Sequence, residues 1–265
     1  MASAPPASAA PKEPRTVQSV SHAAGILKSL HALGKPATLS DLARRIRLSK
    51  PATYALLKTL ELDGLVERGP NARYRLSWGL YELGSAVVRT QDLNNVARLH
   101  IDRLASVTGE AVLLGILDHD SVLYLDRGEI DQSFTMVANI GRRSPLHTNA
   151  TGKVLLAYQR QSYIDGLMHA RLAPTTSLTV TDPQQLAAEL KLVREKGFAL
   201  CRQEQEVGLS SVAVPVFDRA GVRAALTIAG PTSRVNGESL PPLLAELRVT
   251  AGQISARLGA AKSGR

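Results

Sequence analysis

The sequence predicts a mixed α+β protein with a small helical N-terminal domain and a larger C-terminal domain built on an antiparallel sheet. Two amphipathic helix patterns and a hairpin pattern follow one another between residues 38 and 76. From residue 93 onward, helical segments alternate with apolar strand segments. The connections at residues 118–120 and 218–222 are short enough to be hairpins, and hairpins pair strands antiparallel.

The N-terminal domain is expected to begin with a helix over residues 17–33, which Gly34 ends. A second helix should start near Leu39, because Thr38 and Asp41 have the spacing of a capping box. The apolar face of this second helix is expected to consist of Leu42, Ala43 and Ile46. The buried face of the first helix is expected to consist of Val20, Ala23, Ala24, Leu27 and Leu30.

A third helix should begin near Lys50, because Ser49 is a good N-cap and Pro51 is tolerated in a first turn. It should end at Asp63 and Gly64. Residues 65–68 and 73–76 have the pattern of two strands around a turn at residues 69–71. The face that packs against the second helix is expected to carry Ala52, Leu56 and Leu60, with Thr53 and Leu57 beside them. Helix, turn, helix and hairpin in this order are typical of a winged helix-turn-helix.

This arrangement indicates DNA as a partner. The third helix can present its N-terminal polar side chains to a major groove. Arg73 and Arg75 alternate on one face of the hairpin, where they can reach phosphates or a minor groove. The alternative is that packed helices merely carry a solvated basic face. The side chains predicted to contact DNA are Arg44, Ser49, Lys50, Pro51, Thr53, Tyr54, Lys58, Arg73 and Arg75.

The distribution of charge favours DNA binding over that alternative. Residues 1–92 contain 13 Lys and Arg against 7 Asp and Glu, which is a net charge of +6 out of +9 for the whole chain. Between Lys35 and Lys58, six basic residues accompany the single acidic residue Asp41. A cluster of this kind is an electrostatic signature of nucleic-acid binding.

The segment after the hairpin predicts a helix that links the two domains. Leu80, Leu83 and Val87 lie on one side of it. Two uses of this apolar stripe remain open: pairing with the same helix of a second copy, or packing on the chain's own hairpin. The expected domains are a disordered tail over residues 1–15, a winged helix over 16–77, the linker helix over 78–93 and a C-terminal domain over 94–262.

The C-terminal domain is expected to contain helices over residues 95–107, 151–158, 184–196 and 240–258. Strands are expected over residues 111–118, 121–127, 134–138, 198–202, 211–217 and 223–229. Residues 145–150 are expected to form a loop.

Composition argues against several other classes of protein. The single cysteine, Cys201, excludes an internal disulfide framework, and no Cys-x-x-Cys pair is present for a structural zinc site. The six histidines lack metal-ligand spacing, so we expect no metal and no other cofactor. No apolar run approaches the ~18–20 residues that span a bilayer, and the Ala/Pro/Ser-rich N-terminus is not expected to be a secretion signal. A reduced, cytoplasmic setting without a membrane partner is therefore expected.

Three blocks of sequence resemble the IclR-type bacterial transcriptional regulators. They are LSDLARRIRLSKPATYALLKTLELDGLVE at residues 39–67, RRSPLHTNATGKVLLAY at residues 142–158 and KGFALCRQEQEVGLSSVAVPVFDRAGVRAALTIAGPTSR at residues 196–234. The resemblance covers nearly the whole chain, from Thr16 to about Leu258. It implies an N-terminal DNA-binding domain, a linker helix and a C-terminal GAF-like domain that binds a small-molecule effector. It also implies a dimer, or a dimer of dimers, on a palindromic operator.

The resemblance further implies an effector pocket in the C-terminal domain. The residues expected to line it are His147, Thr148, Asn149, Ala150, Thr151, Cys201, Ser210, Ser211, Thr227 and Ala229. Because Thr148, Asn149 and Thr151 flank the start of a predicted helix, their polar groups and the free backbone N–H groups could together hold a carboxylate. The alternative is ordinary N-capping by one of them. Cys201 is expected to be a small apolar wall residue rather than a redox sensor.

The expected function is a ligand-responsive, DNA-binding transcriptional regulator, with repression favoured over activation and a small organic acid as the effector. The chain is not expected to be an enzyme. Ser210 and Ser211, together with Lys153 and His147, suggest a serine nucleophile, but no Gly-x-Ser-x-Gly elbow surrounds either serine. The alternative from another class is a GAF-like metabolite-binding enzyme or sensor whose N-terminal domain serves assembly.

Overall fold

The computed structural model describes residues 16–89, 92–128, 140–169 and 171–260. The chain divides into two compact units, one up to residue 90 and one from residue 91. The fold is mixed, with a helix-turn-helix unit first and an antiparallel-sheet unit second, as the sequence predicts. Within the described ranges, no helix is both long and apolar enough to cross a membrane.

The N-terminal unit combines helices with a small three-stranded sheet. Its helices are α1 (Gln18–Leu33), α2 (Leu39–Ile46), α3 (Lys50–Leu62) and α4 (Trp78–Arg89). Its strands are β1 (Ala37–Thr38), β2 (Val66–Arg68) and β3 (Arg73–Leu76), in the order β1-β3-β2. β2 and β3 pair antiparallel, which confirms the predicted hairpin. β1 goes beyond the prediction, because two residues are too few to show an alternation and only the pairing with β3 reveals them.

Local capping sets the starts of α2 and α3. The Thr38 hydroxyl accepts from the backbone N–H of Asp41 at 3.2 Å, and the Ser49 hydroxyl accepts from that of Ala52 at 3.4 Å. Gly34 ends α1 with a left-handed φ of 61°. The first N–H groups of a helix have no intrahelical partner, so a side-chain acceptor just before them determines where the helix begins.

Two of the predicted buried faces are wrong in detail. Val20 is 66% exposed, whereas Ile26, which the predicted stripe omits, is fully buried. On α3, Ala52 is exposed and the buried positions are Thr53, Leu57 and Leu60. In both helices the apolar pattern covers a wide arc, so packing against the neighbouring elements decides which side of that arc is buried.

The C-terminal unit is a six-stranded antiparallel sheet in the order β6-β5-β4-β9-β8-β7. Its strands are β4 (Ala111–Asp118), β5 (Ser121–Gly128), β6 (Arg143–Pro145), β7 (Ala199–Arg202), β8 (Leu209–Phe217) and β9 (Val222–Pro231). Its helices are α5 (Asp92–Thr108), α6 (Ala150–Ala157), α7 (Gln161–His169), α8 (Pro183–Lys196) and α9 (Leu240–Arg257). The two predicted hairpins are confirmed as β4–β5 and β8–β9.

Two elements go beyond the sequence prediction. β6 has only three residues, which are too few to show a period. The nine-residue helix α7 is the second element, and it was not predicted although the shorter α2 and α6 were. The strand predicted over residues 134–138 lies outside the described residues.

Helices cover both faces of this sheet. One apolar cluster contains Leu113 and Ala213 of the strands with Val154 of α6 and Leu186 of α8. The other cluster packs the opposite face against α5 and α9. Because successive strand residues point to opposite faces, neighbours in sequence belong to different clusters.

Candidate functional site

The exposed face of α3 is the first part of a candidate DNA interface. Lys50 and Pro51 are exposed in its first turn, directly after the exposed Ser49. Tyr54 is 48% exposed although its ring is largely apolar. Lys58 is also exposed and pairs with Glu61 at 3.0 Å. The N-terminal half of α3 therefore offers polar and aromatic side chains to a partner.

The prediction of Thr53 as a DNA contact is wrong. Its side chain is fully buried. Its hydroxyl donates to the carbonyl of Ser49 at 2.9 Å, within the same helix. Thr53 therefore packs inward, and the accessible positions of this candidate interface lie on either side of it.

The arginines of the hairpin form the second part. Arg73 and Arg75 project from the same face of β3, on either side of the buried Tyr74. Arg73 donates from Nη1 to the carbonyl of Pro36 at 3.3 Å. Arg75 pairs with Glu67 across the hairpin. Both guanidinium groups are thus held near the strands instead of extending freely into solvent.

A positive cleft of about 240 Å³ lies beside Arg73, with Lys35, Arg44 and Arg45 also in its lining. Among the described residues, Asp41 is the only carboxylate in that lining, and it pairs with Arg44 at 2.9 Å. The hydrogen bond from the Thr38 hydroxyl holds the pKa of Asp41 below its usual range, so this carboxylate stays charged. Four cations and one anion leave the cleft positive, as a phosphate-binding surface requires.

The loop before α6 is the start of the candidate effector site. Asn149 accepts from the N–H of Gly152 at 2.8 Å, and its amide nitrogen donates to the carbonyl of Pro145 at 3.0 Å. The Thr148 hydroxyl donates to the same carbonyl at 3.1 Å. Asn149 is therefore the N-cap of α6, which is the ordinary alternative considered for this loop.

Five of the ten predicted effector residues surround one small cavity. Its lining consists of Asn149, Thr151, Ser211, Thr227 and Ala229, completed by Leu113, Tyr124, Gln205 and Leu209. The hydroxyls of Thr151 and Thr227 lie 2.7 Å apart, and the Tyr124 hydroxyl donates to Thr151 at 3.4 Å. Burial raises the pKa of Tyr124 to about 12, so the phenol remains a neutral donor.

The cavity is closed in this conformation. Its volume is about 10 Å³, which is roughly the space that one water molecule needs. Small-molecule sites usually measure several hundred Å³. A ligand can therefore enter only if part of the lining moves.

The prediction that Ser210 lines the same pocket as Ser211 is wrong. Ser210 lies on the opposite face of β8, where its hydroxyl is 2.9 Å from that of Thr232. The alternation of a strand lets only one of two neighbouring serines face the cavity.

The other four predicted residues do not line the cavity; they are His147, Thr148, Ala150 and Cys201. The Nε2 atom of His147 lies 3.0 Å from the carbonyl oxygen of Ala173. Ala150 is packed in the core. Cys201 donates its S–H to the carbonyl of Thr148 at 3.3 Å. Burial raises the pKa of Cys201 to about 12, which favours the apolar-wall interpretation over a redox role.

Four lining residues escaped the sequence analysis. The alternation of β4 and β5 was a usable signal for Leu113 and Tyr124, because both lie on the face that carries Thr227. Leu209 precedes the predicted start of its strand. Gln205 lies in a loop, where no periodicity points to a site.

Lys153 is a buried charge on α6, two residues beyond Thr151. It is 1% exposed, and its Nζ lies 2.7 Å from Glu189 and 2.7 and 2.8 Å from the two oxygens of Glu204. Burial opposes its charge, but the two carboxylates outweigh burial and keep its pKa above the usual value. A lysine held charged in this way cannot take a proton from a serine, which removes the base that a serine nucleophile would need.

A second, larger groove of about 550 Å³ lies between α9, the end of α6 and the edge of β8. Of the lining residues that the structure describes, Arg248 alone is charged, and it already donates to the carbonyl of Lys196 at 2.7 Å. None of the ten predicted effector residues lines this groove.

Known proteins resemble this chain along nearly its whole length. Residues 85–256 match the family described as bacterial transcriptional regulator IclR C-terminal, and residues 19–70 match the IclR helix-turn-helix domain. The HTH-type transcriptional regulator KdgR of Escherichia coli is 36% identical over 251 residues, which cover 94% of this chain and 95% of that protein. The HTH-type transcriptional repressor AllR of Salmonella paratyphi A is 29% identical over 257 residues, 96% of this chain and 94% of AllR.

A solved structure shows the same fold. It is an IclR homolog from Microbacterium hydrocarbonoxydans complexed with 4-hydroxybenzoate. Its TM-score is 0.81 at 27% sequence identity, and the match covers 91% of this chain and 98% of that chain.

Proposed function

This chain belongs to the IclR family of bacterial transcriptional regulators, which bind DNA and are not enzymes, and we propose that it represses transcription from a palindromic operator under the control of a small organic acid. The proposal assigns DNA recognition to residues 16–77, the linker to 78–93 and effector binding to a GAF-like domain over 94–262. It places the protein in the cytoplasm, where its operator would be.

The observation that carries the proposal is the exposed face of α3 beside the hairpin arginines. In the proposed complex, α3 enters the major groove, where Lys50 and Tyr54 reach base edges. Arg73 and Arg75 contact phosphates or the minor groove. The positive cleft with Lys35 and Arg45 adds backbone contacts, which increase affinity without reading sequence.

The linker helix supports a homo-oligomer. On α4, Trp78, Tyr81 and Leu83 are 77%, 68% and 60% exposed. Such exposure of Leu83 argues against packing on the chain's own hairpin, the other use considered for this stripe. The side chain of Val87 lies outside the described residues. Pairing with α4 of a second copy would bury this surface and hold two α3 helices at one half-site spacing. The proposed assembly is a dimer or a dimer of dimers.

The cavity in the C-terminal unit supports a small organic acid as the effector. Its polar lining includes the hydroxyls of Tyr124, Thr151, Ser211 and Thr227 and the amide of Gln205. Hydroxyl and amide groups can all donate hydrogen bonds to a carboxylate. The Microbacterium homolog is described as complexed with 4-hydroxybenzoate, which is an organic acid of this kind. AllR is described as a repressor, which supports repression here.

A gel-shift titration with the upstream region of the neighbouring operon tests the DNA part. Salt-sensitive, sequence-specific retardation is expected. Lys50→Ala should weaken binding by about 1–3 kcal/mol if Lys50 reads a base, and Arg73→Ala should lower the salt slope by about one if Arg73 contacts a phosphate. Thr53→Ser serves as the control, because Thr53 is buried. Unchanged affinity and salt slope in both test variants would refute this docking.

A thermal-shift screen tests the effector part. Carboxylates such as benzoate and 4-hydroxybenzoate are compared with the matching neutral amides. Stabilisation by the acids and not by the amides is expected, since a ligand that binds only the folded state raises the melting temperature. A preference for the amides would overturn the organic-acid proposal.

A further inference from the structure

Gln205 differs from the rest of the cavity lining. The other eight lining residues are buried, in strands or at the start of α6. Gln205 is half-buried, and it lies on the loop between β7 and β8. Among the described lining residues, Gln205 is therefore the one in contact with solvent. Its side chain is held weakly, because Nε2 donates to the Ser144 hydroxyl at a distance of 3.4 Å.

The backbone beside Gln205 is held firmly. Glu204 is 7% exposed, and its carboxylate is bound to Lys153 through both oxygens. Its carbonyl accepts from the hydroxyls of Thr175 at 2.7 Å and Thr179 at 2.6 Å. Opening the loop at this point would break a buried ion pair and several hydrogen bonds. Rotating the Gln205 side chain would break one long hydrogen bond.

We propose that the Gln205 side chain closes the entrance to the cavity and that an entering organic anion passes it and contacts its amide. This inference rests on the proposed function, because it takes the cavity as the effector site. Gln205 then selects ligands as well as admitting them. A neutral amide at the entrance can donate a hydrogen bond to a carboxylate, whereas a negative charge there would repel the carboxylate.

The experiment measures entry without needing the effector. Ser211→Cys in a Cys201→Ala background places one thiol in the cavity lining of the full-length chain. Cys201 must be removed because it is the cross-strand partner of Ser211, and the two thiols could otherwise form a disulfide. The probes are the anionic 2-sulfonatoethyl and the cationic 2-(trimethylammonio)ethyl methanethiosulfonates. The thiolate attacks the thio sulfur of the reagent, forms a mixed disulfide and expels methanesulfinate. Intact mass spectrometry gives the rate.

Shortening Gln205 should open the entrance. We expect Gln205→Ala to raise the labelling rate of both reagents about tenfold, because entry no longer has to break the hydrogen bond from Gln205 to Ser144. Gln203→Ala is the matched control on the same loop, since Gln203 accepts from the N–H of Gly208 at 2.9 Å and does not line the cavity. It should change the rates less than about twofold. Equal rates in the two variants would overturn the proposal.

Charge at the entrance tests selection. Gln205→Glu should lower the ratio of anion to cation labelling rates about tenfold relative to Gln203→Glu, because the new carboxylate repels the sulfonate at close range. An unchanged ratio would overturn the selective role. Ala229→Cys, on β9, provides a second reporter position if Ser211→Cys impairs folding. The labelling experiment involves neither DNA nor effector. A negative labelling result would therefore overturn the role of Gln205 without affecting the outcome of the gel-shift test of the proposed function.

Discussion

Replacing the buried Lys153 of α6 is expected to cause a large loss of stability. Lys153→Met keeps an unbranched side chain but removes the charge that Glu204 and Glu189 share. The side chain of Glu189 is 32% exposed and can regain water, whereas that of Glu204 is 10% exposed and cannot. The cost therefore comes mainly from Glu204, left buried and negative. Removing one partner of such a pair costs about 3–5 kcal/mol, out of roughly 5–15 kcal/mol for a typical domain.

Urea unfolding of the full chain by circular dichroism measures this loss, and hydrogen exchange of α6 assigns it to the C-terminal unit. Lys191→Met, at an exposed position of α8, is the control and should change the free energy of unfolding by less than about 0.5 kcal/mol. Adding Glu204→Gln to Lys153→Met should recover at least half of the loss, because no buried charge is then left unpaired. The reasoning is refuted if Lys153→Met costs less than about 1 kcal/mol or if the second substitution adds to its cost.

Three further predictions concern packing, pH and assembly. Gly152→Ala should destabilise the C-terminal unit by more than about 2 kcal/mol, because a Cβ there would overlap the carbonyl of Leu146. Gly166→Ala, in open space on α7, should stabilise the unit by about 0.5–1 kcal/mol. Equal melting temperatures for these two variants would contradict the prediction. Burial raises the pKa of Cys201 and Tyr124 to about 12 from 9.0 and 10.0. As the pH rises, the unfolded chain loses these two protons before the folded chain does, so the free energy of unfolding is highest below pH 9 and falls as the pH approaches 12. Urea unfolding between pH 7.5 and 10.5 should therefore show a smaller fall in the free energy of unfolding for Cys201→Ala than for the unsubstituted chain. If copies pair through α4 as proposed, Leu83→Glu should lower the sedimentation coefficient of the wild-type protein to that of a smaller species, and an unchanged coefficient would exclude this pairing.

Several features of this protein follow from the sequence because they depend on neighbours only a few residues away. The caps at Thr38 and Ser49 and the left-handed Gly34 set helix boundaries through bonds to the next turn. The two hairpins of the C-terminal sheet follow from short connections between apolar strands. Together with the basic run between residues 35 and 58, these local signals were sufficient for the winged helix and the antiparallel sheet.

The candidate sites needed the tertiary structure, because their contacts join residues far apart in the chain. On α3, tertiary packing buries Thr53 and leaves Ala52 exposed. On β8, the alternation of side chains places Ser211 at the cavity and Ser210 on the other face. Shifting an element by one residue along its pattern exchanges its buried and exposed positions, and the hydrophobic pattern of these segments does not fix the position to within one residue. Lys153 meets Glu204 across 51 positions of sequence. That contact holds the loop on which Gln205 lies, so the boundary between cavity and solvent is set by long-range packing.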